Sequence, residues 1–138
     1  MLQFRYIQYF GGEKFLRNLY HLAIEATLEA ITGKWKLSIL CHLGHGTLRT
    51  GELRRLMPGI SQRVLTLQLR ELEDAGIITR TVYNEVPPRV EYSLSERGQS
   101  LRHILGQMSD WGADLIESRR AAGEIVEVTA DEDEGLRI

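Results

Sequence analysis

The sequence predicts a mainly α-helical chain with a small β-hairpin. Three observations carry that expectation. Leucines recur at helical spacing between residues 61 and 75, two β-branched and aromatic runs flank "NEVPP", and a 28-residue amphipathic stretch opens at Ser95. At 138 residues the chain suits one compact domain, and 43% apolar residues suffice for a core.

Residues 1–22 are rich in aromatics, Phe4, Tyr6, Tyr9, Phe10, Phe15 and Tyr20, interrupted by Gly11-Gly12. They read as an arm followed by a helix from about Lys14. "EATLEAITG" is a short helix with Ala26, Leu28 and Ile31 inward and Gly33 as its C-terminal cap. "KWKLSILCHLG" is another, with Trp35, Ile39, Leu40 and Leu43 as its apolar side and Gly44 as its stop. Thr47 to Arg49 form a short extended piece. Thr50 is placed to cap a helix through Met57, closed by Pro58-Gly59.

Ser61 caps the next helix, residues 61–75, and Gly76 ends it. "IITRTVY" and "RVEYSL" are strands, joined by a turn that two prolines stiffen, so that residues 79–94 form a hairpin. Ser95 begins the long last helix. After Gly123 too few apolar groups remain for the tail to fold alone. Two helices across a tight turn, then a two-stranded hairpin, make a winged helix-turn-helix. The domains expected are an arm at 1–23, a winged helix at 24–98, a dimerisation helix at 99–122 and an acidic, flexible tail at 123–138.

The net charge of −2 conceals an asymmetry. From Gly123 onward six acids face Arg137 alone, a net −5, which leaves +3 for residues 1–122. A mildly basic body permits a nucleic-acid partner. No apolar run approaches the ~18 residues of a membrane span. The first residues have neither an uninterrupted apolar core nor a small-residue cleavage site, so no secretory signal is expected. Cys41, the single cysteine, excludes an internal disulfide and fits the cytoplasm. On its apolar helix it reads as an inert thiol.

The helix at 61–75 carries the functional expectation. On a wheel of ~100° per residue, Leu72, Leu65 and Leu69 share one side. Gln62, Thr66, Arg70 and Arg63 occupy the other, with Glu71 and Glu73 at its flanks. A solvated face usually mixes signs. A stripe whose centre lacks acids suits a DNA major groove, where Arg pairs with guanine, Gln with adenine, and Thr touches a methyl group or a phosphate. Ser61, Gln62, Arg63 and Thr66 lie at the end that usually reaches bases. Leu67 breaks the stripe. Arg80 and Arg89 stand at the two ends of the hairpin, placed for backbone or minor groove, although Glu85 near the tip works against phosphate.

"GKWKLSIL", "GELRRLMPGISQRVLTLQLRELEDAGII", "YNEVPPRVEYSLSERG" and the tryptophan of the long last helix together resemble the HxlR-type winged-helix transcriptional regulators, over about residues 24–115. The resemblance implies a homodimeric DNA-binding regulator. It also implies backbone roles for Lys34, Lys36, Arg54 and Arg55, with a structural salt bridge an equal reading for Arg54. Many members carry a Cys-Pro pair eleven residues before "GKW", and in redox-sensing members that cysteine is the sensor. Leu22 and Ala23 stand there in this chain, which removes thiol switching at that site.

In the last helix Leu101, Ile104, Met108, Trp111 and Leu115 are spaced three and four apart, the rhythm of a helix–helix seam. A winged-helix domain leaves little core so far from the wing, so a partner subunit is expected there. Packing onto the chain's own core is the other reading. The aromatic arm is a second dimer candidate, or the lining of a pocket for an effector. Nothing points to an enzyme, a metal or a cofactor. His42 and His45 lack companion ligands, Ser38 and Ser61 have structural uses, and there is no phosphate loop or nucleophile elbow. The competing class is a winged helix used as a protein-interaction module without specific DNA binding.

Overall fold

The structure, a computed structural model, describes the backbone of residues 4–10 and 13–129 and the side chains of residues 19–129. The chain divides into two compact units, Met1–Gly33 and Lys34–Ile138. The acids from Asp131 to Glu134, Arg137, the Gly11-Gly12 pair and the aromatic side chains from Phe4 to Phe15 lie outside the described residues.

The first unit opens with strand β1 (Phe4–Phe10), paired antiparallel with β2 (Glu13–Leu19) in a register from Phe4 opposite Leu19 to Phe10 opposite Glu13. The helix expected from Lys14 is therefore a strand. An aromatic-rich run followed by two glycines forms a hairpin signal. Pairing with β1 outweighs the helical propensity of Glu, Lys, Leu and Arg in "EKFLRNL". Helix α1 (Ala23–Ile31) follows.

The Glu25 carboxylate closes the N-terminus of α1 by accepting from the backbone N–H groups of His21 at 2.7 Å and Leu22 at 2.9 Å. These bonds, Leu22's foremost, hold the Glu25 carboxyl below its ordinary pKa. The Tyr20 hydroxyl donates to the Glu29 carboxylate. Ile31 is buried and Leu28 half-buried, whereas Ala26, expected inward, is exposed. Ala26 stands ~200° around the helix from Leu28, so the period itself turns it away from the buried side. Since α1 belongs to the first unit, this division falls later than the boundary expected before residue 24.

The second unit runs α2 (Lys36–Leu43), β3 (Leu48–Arg49), α3 (Thr50–Leu56), α4 (Gln62–Asp74), β4 (Ile78–Tyr83), β5 (Arg89–Leu94) and α5 (Glu96–Ala121). Its sheet has the order β3-β5-β4, antiparallel throughout, with Leu48 opposite Tyr92 and Ile78 opposite Leu94. Ile39, Leu40 and Leu43 of α2, Leu53 of α3, Leu65, Leu69 and Leu72 of α4, and Leu105 of α5 are buried with Ile77, Ile78 and Tyr92. Cys41 is half-buried.

Helix α3 begins one residue earlier than expected. Arg49 is its N-cap, and Glu52 reaches back to the Arg49 N–H at 3.1 Å, so Thr50 is already helical. At the end of α4, Gly76 takes φ +73°, the Ile77 N–H returns to Leu72 O, and the Gly76 N–H returns to Glu73 O. This closure satisfies carbonyls that the helix end leaves open and turns the chain directly into β4.

Ser95 then fixes where α5 starts. Its Oγ accepts from the Gly98 N–H at 3.0 Å and lies 2.6 Å from Gly76 O and 2.9 Å from Ile77 O. A Cβ at Gly98 would stand 2.2 Å from Ile77 O, so only glycine lets α5 pass this close to the end of α4.

Candidate nucleic-acid interface

The surface expected to meet DNA centres on α4. Its first turn is set by Ser61, whose Oγ accepts from the Val64 N–H at 3.1 Å. Leu65, Leu69 and Leu72, each no more than 1% exposed, sink one side of the helix into the core. Burying three leucines on one side fixes the rotation of α4. Gln62, Arg63, Thr66 and Arg70 are consequently exposed on the other side. The Thr66 hydroxyl donates to Gln62 O at 2.8 Å, which commits its proton and leaves the oxygen able to accept. Leu67 interrupts the stripe and is 49% exposed.

The partner helix contributes Arg54 and Arg55, both exposed at the end of α3. Arg54 Nη1 lies 3.5 Å from Gln62 Oε1, at the outer limit of a hydrogen bond. That contact spans the turn between the two helices. Lys34 is exposed, its Nζ 4.9 Å from the centre of the Trp35 ring. Arg80 is exposed on β4.

Two residues expected at the interface are placed otherwise. The Lys36 side chain is only 12% exposed, and its Nζ lies 2.8 Å from Glu71 Oε2. It ties α2 to α4 instead of standing outward, and it neutralises an acid at the edge of the polar stripe. Arg89 is held inside the wing. Nη2 lies 3.1 Å from Glu85 Oε1, Nη1 lies 3.3 Å from Glu91 Oε1, and the guanidinium carbon sits 4.0 Å from the Tyr83 ring centre. Its Nε is buried without a hydrogen-bond partner in the structure. Three neighbours drawn from both strands and the loop thus occupy a charge expected at phosphate.

The seam residues on α5 divide by side. Leu101 is half-buried, whereas Ile104, Met108, Trp111 and Leu115 are exposed, Trp111 at 69%. The core is met by Leu105, one position off the stripe. In the last turn of α5, Arg120 donates through Nε and Nη2 to Val126 O at 3.1 and 2.9 Å and pairs with Glu117. The start of the acidic tail is thereby tied to the helix end. Among the described residues no three His, Cys, Asp or Glu gather to hold a metal, and no helix is long and apolar enough to cross a membrane.

Comparison with known proteins agrees with this architecture. A family model, the HxlR-like helix-turn-helix, matches residues 30–120. An uncharacterised helix-turn-helix transcriptional regulator of Bacillus subtilis, YtcD, is 62% identical over 97 residues, spanning 70% of this chain and 77% of that protein. A crystal structure of a transcriptional regulator assigned to the MarR family, from Enterococcus faecalis V583, superposes with a TM-score of 0.68 at 44% identity, covering 72% of this chain and 90% of that one. The redox regulator HypR in its reduced form superposes with a TM-score of 0.63 at 52% identity, covering 70% and 92%.

Proposed function

The chain belongs to the HxlR-like helix-turn-helix family of transcriptional regulators, and on that premise we propose that it reads an inverted-repeat operator as a homodimer in the cytoplasm. In this reading α4 enters the major groove. Arg63 and Gln62 address base edges, and Thr66 meets a methyl group or a phosphate. Ser61 and the free N–H groups of the first turn hold a phosphate. Arg54, Arg55, Arg70, Lys34 and Arg80 supply charge to the backbone. The hairpin lies on the backbone or minor groove. The Ile104–Leu115 stripe joins two copies, setting two recognition helices ~34 Å apart, one turn of DNA. The protein acts by binding rather than by catalysis.

The observation that carries this reading is the α4 stripe, an exposed set of two guanidinium groups, an amide and a hydroxyl with no acid at its centre. Of the acids on this helix, Glu71 is paired with Lys36, and Glu73 and Asp74 lie in its last turn, away from the end that reaches bases. A protein-interaction surface has no physical need for a single sign there. Salt dependence separates the two classes. Displacing counterions from ~4–8 phosphates should weaken duplex affinity steeply between low and moderate salt. A flat response would instead favour a protein partner.

A further inference from the structure

The wing carries an exposed group that the basic-contact account leaves unused. Val86 at its tip is 102% exposed, and Pro87 and Pro88 beside it are exposed as well. The fold sets neither the packing nor the bonding of the Val86 side chain. Arg89 lies between Glu85 and Glu91 and stacks on Tyr83, one positive charge against two negative, and exposed Arg80 on β4 brings the hairpin to formal neutrality. This clasp withdraws the wing arginine and pairs the Glu85 carboxylate, which Arg89 shares with Glu91. The Glu85 N–H donates to Tyr83 O at 2.9 Å and shapes the turn that carries the tip. What the wing offers is a stiff apolar knob at the end of a charge-neutral stem.

We infer that Val86 and Pro87 are a minor-groove element that favours A·T pairs beside the bases read by α4; this rests on the DNA-binding reading above. The minor groove is ~6 Å wide, and its floor distinguishes A·T from G·C by the guanine N2 amino group, which an apolar knob cannot accept. Aliphatic and proline side chains recur in that groove. Proline brings no N–H that contact would leave unsatisfied, and its fixed φ leaves little freedom to lose on binding. Continuity supports this occupant over a protein: β4 leaves the recognition helix directly through Gly76 and Ile77.

The test uses a duplex enriched by the wild-type protein from a random library. Adenines outside the α4 half-sites are replaced one at a time by 2,6-diaminopurine, which adds the N2 amino group and leaves the major-groove edge unchanged. Wild type should lose ~3–10-fold in affinity at one flanking position in each half-site. Val86→Ala, a change at a fully exposed position, should bind the unmodified duplex several-fold more weakly and show a modified-to-unmodified ratio near one. Its preference for the enriched half-site over a scrambled one should persist. Wild-type indifference to diaminopurine at every flank, with Val86→Ala binding as wild type does, would overturn the inference. So would equal sensitivity in both proteins, which would assign the contact to another wing residue. If wild type enriches no sequence, the DNA-binding reading itself fails, and this inference falls with it.

Discussion

Helices α4 and α5 are built alike and finished differently. Each buries leucine on one side, Leu65, Leu69 and Leu72 in α4 and Leu105 in α5. Each also leaves a second row exposed. In α4 that row is Gln62, Arg63, Thr66 and Arg70, groups that water solvates well. In α5 it is Ile104, Met108, Trp111 and Leu115, groups that water disfavours. Exposure alone therefore says little about a partner, and its chemistry says more. A polar row of one sign is stable alone and becomes informative only beside an anion. A contiguous apolar row is costly alone, and patches of this kind mark contacts with a protein, a membrane or a ligand.

The contrast can be broken from the inside first. Leu65→Ala should lower the unfolding free energy by ~2–5 kcal/mol, because a fully buried side chain leaves a cavity under α4. Denaturant titration reads this directly. A loss below ~1 kcal/mol would mean that the leucine row does not anchor the helix. On the other helix, Trp111→Glu should weaken self-association by at least ~2–4 kcal/mol and yield monomers. Light scattering that finds an unchanged mass would remove α5 as the seam.

The polar row is tested next. Arg63→Ala should cost ~1–3 kcal/mol on the preferred duplex and relax base preference. Equal losses on preferred and random duplexes would reduce Arg63 to a phosphate contact. The smallest effect sharpens the boundary of the row. Lys36→Met should lower stability by only ~0.2–1 kcal/mol, since Glu71 remains partly solvated, and should leave the salt slope of duplex binding unchanged. A slope reduced by about one would return Lys36 to the phosphate backbone.

The order of elements from α1 to α5 was legible because its punctuation is local. Ser61, Gly76 and Ser95 act within a few residues of the ends they close, and each does so in the structure. The first hairpin was missed although two glycines after an aromatic-rich run signal one, because "EKFLRNL" is also good helical sequence. Its partner strand decides the outcome. The polar row on α4 could be read from the period alone. Lys36 could not be placed, since its acid stands 35 residues away on another helix and only packing brings the two together. Arg89 was within reach. Glu91 lies two residues on, on the same side of the strand, and Glu85 lies four back in the turn. Glu85 was weighed against phosphate at the tip but not as a partner for Arg89, and Glu91 was not weighed at all.

Selection of bound sites from a random duplex library measures the central claim most directly, because it reports sequence preference, symmetry and spacing together. The account predicts enrichment of an inverted repeat whose half-sites are centred about one helical turn apart, with that enrichment lost in Arg63→Ala. Recovery of no sequence above background, or enrichment that survives Arg63→Ala unchanged, would contradict it.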